Sequence, residues 1–195
     1  MQKDSILNII LVGVGLCIVC GAVISTVAVS LRDQQEQNVI FDQQSKIIDA
    51  ARLLEVYPSS QEALASIEEV VVNLNDGQPS GIPPQQYDLD SILRDPSQHT
   101  VLNGSEDIAM ISVRENLSKV YIEYRNNELK TLILPVRGYG LWGTLYGYLA
   151  LDSDLNTIVG LEFYKHKETP GLGAEVDNPN WKKLWNGKKV FDENG

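Results

Sequence analysis

The longest apolar stretch of the chain lies near its N-terminal end. Residues 6–29 carry no charged side chain, and the first charge after them belongs to Arg32. As an α-helix these 24 residues would extend roughly 36 Å, because each residue adds about 1.5 Å. The hydrocarbon core of a bilayer is only about 30 Å thick. The pattern therefore predicts a single transmembrane helix within an anchor of residues 1–32, with a cleaved signal sequence ending near residues 28–30 as the open alternative.

Two helical patterns follow the anchor. Apolar residues recur at spacings of seven, four and three over residues 33–57, and Pro58 is expected to end this helix. Ser59 with Glu62 three positions later forms a capping box, which predicts the start of a second helix. The residues expected to face inward from these two helices are Ile40, Ile47, Ala51 and Leu54, then Leu64, Ile67 and Val71.

The pattern changes to a β type in the second half of the chain. Residues 119–124 alternate between apolar and polar, residues 125–128 are typical of a hairpin turn, and residues 129–136 are typical of the returning strand. Two further apolar and aromatic runs occupy residues 141–151 and 157–164. Together the four runs predict an antiparallel meander.

The remaining segments are shorter. Residues 73–98 are rich in turn residues and predict an irregular connection. Asp177 or Asn178 is suited to cap a short helix that begins at Pro179, and residues 188–191 are expected to start another strand. The fold class we expect is α+β, with one N-terminal transmembrane helix and an antiparallel sheet flanked by helices. One face of the last helix is expected to carry Trp181, Leu184 and Trp185.

Composition narrows the possible functions. The net charge is −10, with 26 acidic residues against 16 lysines and arginines, and this acidity disfavours binding to nucleic acid. Cys17 and Cys20 both lie in the apolar stretch, where thiols behave as small hydrophobic groups. His99 and His166 are far apart in the sequence. We therefore predict neither a disulfide nor a metal site, and no catalytic residue, in the rest of the chain.

Two phrases carry a more specific signal. Residues 134–143 read Leu-Pro-Val-Arg-Gly-Tyr-Gly-Leu-Trp-Gly, with an expected glycine turn at 137–140. Residues 166–175 read His-Lys-Glu-Thr-Pro-Gly-Leu-Gly-Ala-Glu, in which Pro170-Gly171 has the order of a type II turn. Both phrases resemble the FMN-binding domain family, as found in the C subunit of the sodium-translocating NADH:quinone reductase. The G subunit of the related ferredoxin-linked electron-transport complex shares this domain and stays open as an alternative.

The resemblance implies an FMN cofactor. A flat ring needs apolar faces, a few polar groups and close backbone approach, which leucine, tryptophan, polar residues and glycine in these two phrases supply. Residues 165–167 are expected to be a solvated strand end, with stabilisation of reduced flavin as the alternative. The expected cofactor-binding residues are Gly140, Leu141, Trp142, Glu168, Thr169, Leu172 and Gly173.

The resemblance also implies a role and a location. It implies an electron-carrier subunit of a sodium-pumping NADH:quinone oxidoreductase in the bacterial inner membrane, with residues 33–195 forming the FMN-binding domain on the periplasmic side. The expected partners are membrane lipid and the other subunits of the complex, which would bind NADH and quinone. Residues 138–143 match the letters G-x-G-x-x-G, but no helical pattern follows them, so we expect no NADH site and no complete active site here.

One feature of the resembled family is missing from the sequence. The family binds FMN covalently, through a threonine in a Ser-Gly-Ala-Thr phrase that these 195 residues do not contain. We therefore expect residues 33–195 to be a C-terminally incomplete domain and the chain to carry no covalent flavin. A flavin-free, membrane-tethered scaffold module is the alternative from a different class.

Overall fold

The structure, a computed structural model, describes residues 6–192. It begins with a single long helix, α1, over Ile6–Ala50, which is long and apolar enough to cross a membrane. The predicted N-terminal apolar helix is thus confirmed. The chain divides into two compact units between Asp42 and Gln43. The sequence placed the domain boundary after residue 32, but α1 continues without a break through that position. The boundary after residue 32 therefore stays a prediction.

The second unit is built on a five-stranded antiparallel sheet with the strand order β1-β4-β5-β6-β7. A two-stranded ribbon, β2 with β3, lies outside that sheet. The strands are β1 (Ile67–Asn73), β2 (His99–Val101), β3 (Val113–Glu115), β4 (Leu117–Arg125), β5 (Glu128–Tyr139), β6 (Thr144–Asp152) and β7 (Ile158–Lys165). The helices are α2 (Ser60–Ala65), α3 (Leu89–Arg94) and α4 (Pro179–Lys183), with 3-10 helices at Leu53–Glu55, Pro84–Gln86 and Gly173–Asp177.

The predicted α+β class and the four-strand meander β4 to β7 are confirmed. The hairpin between β4 and β5 turns at Asn126 and Asn127, which both adopt positive φ as a two-residue hairpin requires. The strand predicted over residues 188–191 does not form. Lys189 makes one isolated bridge with Thr157, and a single bridge is too short to be a strand.

The second predicted helix is shorter than expected. Ser59 caps α2 by accepting a hydrogen bond from the Glu62 N–H at 3.3 Å, so the start of the helix is confirmed. The helix ends at Ala65, however, and Ile67 and Val71 lie on strand β1. This part of the prediction was wrong because the consecutive valines at 70–72 favour extended backbone, and pairing with β4 stabilises it.

The inward face of α1 also differs from the prediction. Ile47 and Ala51 are buried as expected, whereas Ile40 and Leu54 are exposed. The helix ends at Ala50, and Arg52 adopts a left-handed conformation, so the helical spacing does not continue to Leu54. Leu53 occupies the core in its place. One face of the sheet packs on this segment through Tyr121, Ile133, Tyr148 and Ala150.

The short helix α4 begins where the sequence indicated. Asn178 caps it by accepting a hydrogen bond from the Asn180 N–H at 2.9 Å, and Pro179 is its first residue. The rings of Trp181 and Trp185 contact each other, with centroids 5.7 Å apart, while Leu184 is exposed. Because α4 ends at Lys183, Leu184 and Trp185 follow the helix, and Leu184 does not share the environment of the two tryptophans.

Candidate functional site

The turn between β5 and β6 lies later than the sequence indicated. Strand β5 continues through Tyr139, which pairs with Thr144, so residues 137–139 are strand rather than turn. The chain reverses over residues 140–143, where the Gly140 N–H donates to the Gly143 carbonyl at 2.8 Å. The predicted site residues Gly140, Leu141 and Trp142 therefore lie together at the tip of this hairpin.

A second loop follows strand β7. The Leu172 N–H donates to the Thr169 carbonyl at 3.1 Å, and Gly171 between them has a φ of 76°. These are the features of the type II turn predicted at Pro170-Gly171, which is confirmed. The loop then enters the 3-10 helix at Gly173–Asp177.

The side chain of Glu168 joins the two loops. Its Oε1 accepts a hydrogen bond from the Trp142 N–H at 3.1 Å, across 26 positions of sequence. A Cβ atom added to Gly140 or to Gly173 would overlap the Glu168 carboxylate. The carboxylate thus lies between the two glycines, and only residues without a side chain allow this approach.

Three large apolar side chains of these loops face solvent. Leu141 is 78% exposed, Trp142 62% and Leu172 73%. A group of exposed apolar side chains on adjacent loops is typical of a surface that receives a ligand or another protein. Thr169 is exposed beside them. Among the seven predicted residues, the structure thus brings Gly140, Glu168 and Gly173 into contact and leaves the other four accessible at the same two loops.

A cavity of about 540 Å³ lies next to the β5–β6 hairpin, between the sheet and α4. Its volume falls in the range of about 300–1,000 Å³ that small-molecule pockets occupy. None of the seven predicted residues lines it, but Leu145 does, and Leu145 also lies against Gly140. The sequence did not predict the cavity, because its lining comes from strands β5, β6 and β7 and from residues 181–190, which no local pattern relates. The aromatic residues that line it are Tyr139, Phe163, Trp181 and Trp185.

His166 follows the end of β7 and is not the solvated residue that the sequence indicated. Its side chain is 15% exposed. Nε2 lies 2.8 Å from Oδ2 of Asp177, and Nδ1 accepts a hydrogen bond from the Glu168 N–H at 3.2 Å. Its neighbours Lys165 and Lys167 are exposed as expected.

Known proteins are similar to this chain over its whole length. Residues 140–194 match the model of the FMN-binding domain. The Na(+)-translocating NADH-quinone reductase of Pseudomonas aeruginosa has a C subunit that is 44% identical over 199 residues, which cover 100% of this chain and 76% of that protein. The corresponding C subunit of Vibrio vulnificus is 41% identical over 194 residues, covering 99% of this chain and 76% of the relative.

Two solved structures are similar to the described fold. The crystal structure of Shewanella oneidensis NqrC superposes with a TM-score of 0.70 at 31% sequence identity, covering 78% of this chain and 71% of the other. The C subunit of the Na(+)-translocating NADH-quinone reductase from Parabacteroides distasonis superposes with a TM-score of 0.59 at 30% identity, covering 83% of this chain and 71% of the other.

Proposed function

This chain belongs to the NqrC family, the C subunits of the Na(+)-translocating NADH-quinone reductase, and from that premise we propose that the two loops joined by Glu168 hold its FMN. The chain is an electron-carrier subunit of this oxidoreductase complex, and α1 anchors it in the membrane. The names of the relatives disfavour the G subunit of the ferredoxin-linked complex, and the match to the FMN-binding domain disfavours a flavin-free scaffold. The other subunits of the complex are its partners.

The single observation that supports this site best is the contact between the two loops through Glu168. The segment that matches the FMN-binding domain begins at Gly140 and includes both loops. Trp142 and Leu172 offer exposed apolar surface, one on each loop. The glycines at 140 and 173 leave room at the backbone. These features fit a flat tricyclic ring.

The exposed side chains of the two loops differ in what they offer the ring. Trp142, Leu172 and Leu141 would offer it apolar contact and exclude water from it. The Thr169 hydroxyl would offer a hydrogen bond to one of its polar atoms. Glu168 fixes the spacing of the loops through the Trp142 N–H. When bound, FMN would accept and donate electrons one or two at a time. The protein would determine the position and the surroundings of the FMN.

The side of the membrane completes the proposal. We also propose that the second unit lies on the periplasmic side, that lipid surrounds α1, and that NADH and quinone bind to other subunits. Labelling of a Ser105→Cys variant in intact cells with a membrane-impermeant maleimide tests the side, since labelling is expected only if this residue is periplasmic.

Equilibrium dialysis of the detergent-solubilised chain against free FMN tests the site. We expect saturable binding to the wild type and a loss of about tenfold or more in affinity for Gly173→Ala, because a Cβ there displaces Glu168. Gly104→Ala is the matched control, since nothing lies within 4 Å of a Cβ at that position. Absence of binding to the wild type would favour the scaffold alternative.

A further inference from the structure

Three hydrogen bonds run in series beside the proposed flavin loops. Asp177 Oδ2 lies 2.8 Å from His166 Nε2, the Glu168 N–H donates to His166 Nδ1 at 3.2 Å, and the Trp142 N–H donates to Glu168 Oε1 at 3.1 Å. The series begins in the 3-10 helix, passes the end of β7 and reaches the β5–β6 hairpin. It therefore connects both loops that we assign to FMN.

The series defines the hydrogen-bonding state of the imidazole. Nδ1 accepts from a backbone N–H, so it carries no proton. The ring proton of neutral His166 is then on Nε2, where it donates to the Asp177 carboxylate. Both ring nitrogens are satisfied by partners on different segments, and the ring is largely shielded from solvent. A neutral imidazole in this state hydrogen-bonds to Asp177 on one side and to the backbone of Glu168 on the other, and so holds the two at a fixed distance.

We propose that His166 is a positioning residue of the flavin site, and that with Asp177 it fixes the backbone from which the Glu168 carboxylate reaches the Trp142 N–H. A glutamate side chain loses rotamer entropy when it is ordered. If the Glu168 peptide group is already held in place, less of this entropy is lost when flavin binds. The carboxylate has little latitude, because it lies between two glycines that it almost touches. This inference rests on the proposed function and adds a role to the same site.

Amide exchange measured by NMR on the detergent-solubilised, flavin-free chain tests the proposal without reference to FMN. His166→Ala and Asp177→Ala are expected to increase exchange of the Glu168 and Trp142 amides about three- to tenfold, as expected for the loss of one hydrogen bond. Asp177→Asn keeps an oxygen that accepts from Nε2, so it should exchange like the wild type. Lys183→Ala, an exposed change on α4, is the control.

Two more variants separate the two bonds of the imidazole. His166→Asn keeps an acceptor near the position of Nδ1, and His166→Gln keeps a donor near the position of Nε2. We expect the asparagine variant to protect the Glu168 amide better than the glutamine variant does. If His166→Ala fails to fold, the comparison of Asp177→Ala with Asp177→Asn decides the test, because Asp177 is half-exposed.

Affinity for free FMN distinguishes a positioning role from a purely structural one, since a purely structural role would leave this affinity unchanged. Asp177→Ala is expected to bind FMN about three- to tenfold more weakly at unchanged melting temperature, and Asp177→Asn to restore the affinity. If exchange at Glu168 and Trp142 is unchanged in folded His166→Ala and Asp177→Ala, the positioning role is wrong even though FMN binds. If exchange responds as expected but the wild type binds no FMN, the positioning role stands and the proposed function fails.

Discussion

Gly160 lies directly against the backbone carbonyl of Ala50. A Cβ atom on Gly160 would overlap the Ala50 oxygen and lie 3.3 Å from its carbonyl carbon. The edge strand β7 and the last turn of α1 are therefore in backbone contact, with no side chain between them. This close approach lies beside the hydrophobic core to which Ile47, Leu53 and Ala150 belong.

Gly160→Ala is accordingly expected to destabilise the second unit. The atoms that a Cβ would meet belong to the backbone, which is unable to rotate away, so the cost should be about 1–3 kcal/mol, typical of overpacking. Thermal unfolding followed by circular dichroism should show a midpoint several degrees lower than that of the wild type. Gly104→Ala, where a Cβ meets nothing within 4 Å, should melt with the wild type. Equal midpoints for both variants would contradict the contact.

Glu162 joins three segments of the second unit. Lys182 of α4 donates to both of its carboxylate oxygens at 2.6 Å, and Lys46 of α1 donates at 3.2 Å. All three side chains are largely shielded from solvent. Glu162→Ala should lower the free energy of unfolding by about 1.5–3 kcal/mol in a urea titration. The exposed pair of Glu128 and Lys130 is the control. Glu128→Ala should change the free energy of unfolding by no more than about 1 kcal/mol.

The turn between β6 and β7 predicts a specific dependence on pH. The Thr157 hydroxyl donates to Asp154 at 2.6 Å, and with the Thr157 and Asn156 N–H groups it lowers the pKa of Asp154 from 3.8 to about 2. Because the folded pKa is depressed, this contribution to stability is complete above about pH 4 and is lost as the pH falls towards 2. Thr157→Val should raise the pKa of Asp154 in a carboxyl NMR titration. An unchanged titration would refute the hydroxyl as the main cause.

Two substitutions at Glu168 separate its hydrogen bond from its charge. Glu168→Gln keeps an oxygen that accepts from the Trp142 N–H, so FMN affinity should stay within about threefold of the wild type. Glu168→Ala removes the connection between the loops and should weaken binding about tenfold, the effect of losing roughly 1.4 kcal/mol. Fluorescence titration with free FMN measures both. Wild-type affinity in the alanine variant would show that the carboxylate does not organise the site.

Local patterns predicted most of the sheet. The hairpin at Asn126-Asn127 and the turn at Pro170-Gly171 depend on residues next to each other in sequence, and both occur as expected. Strand β1 was missed because its valines fit either a buried helix face or a strand, and only pairing with β4 decides between them. The inward face of α1 was misjudged after Ala50 because the left-handed conformation of Arg52 carries no sequence signal.

The two sequence phrases identified both loops of the candidate site, but not how the loops meet. Trp142 and Glu168 are 26 positions apart, and no periodicity relates them. Nor does any pattern relate His166 to Asp177, whose contact depends on the path of the 3-10 helix. The glycines at 140 and 173 were predicted for close approach to a ligand, whereas in the structure each also makes room for Glu168.

A crystal structure of the chain grown with FMN would test the central claim most directly. We predict that the isoalloxazine ring lies against Trp142 and Leu172, with the Glu168 carboxylate still accepting from the Trp142 N–H. A ring bound instead in the cavity beside Trp181 and Trp185, away from both loops, would contradict the assignment of the site.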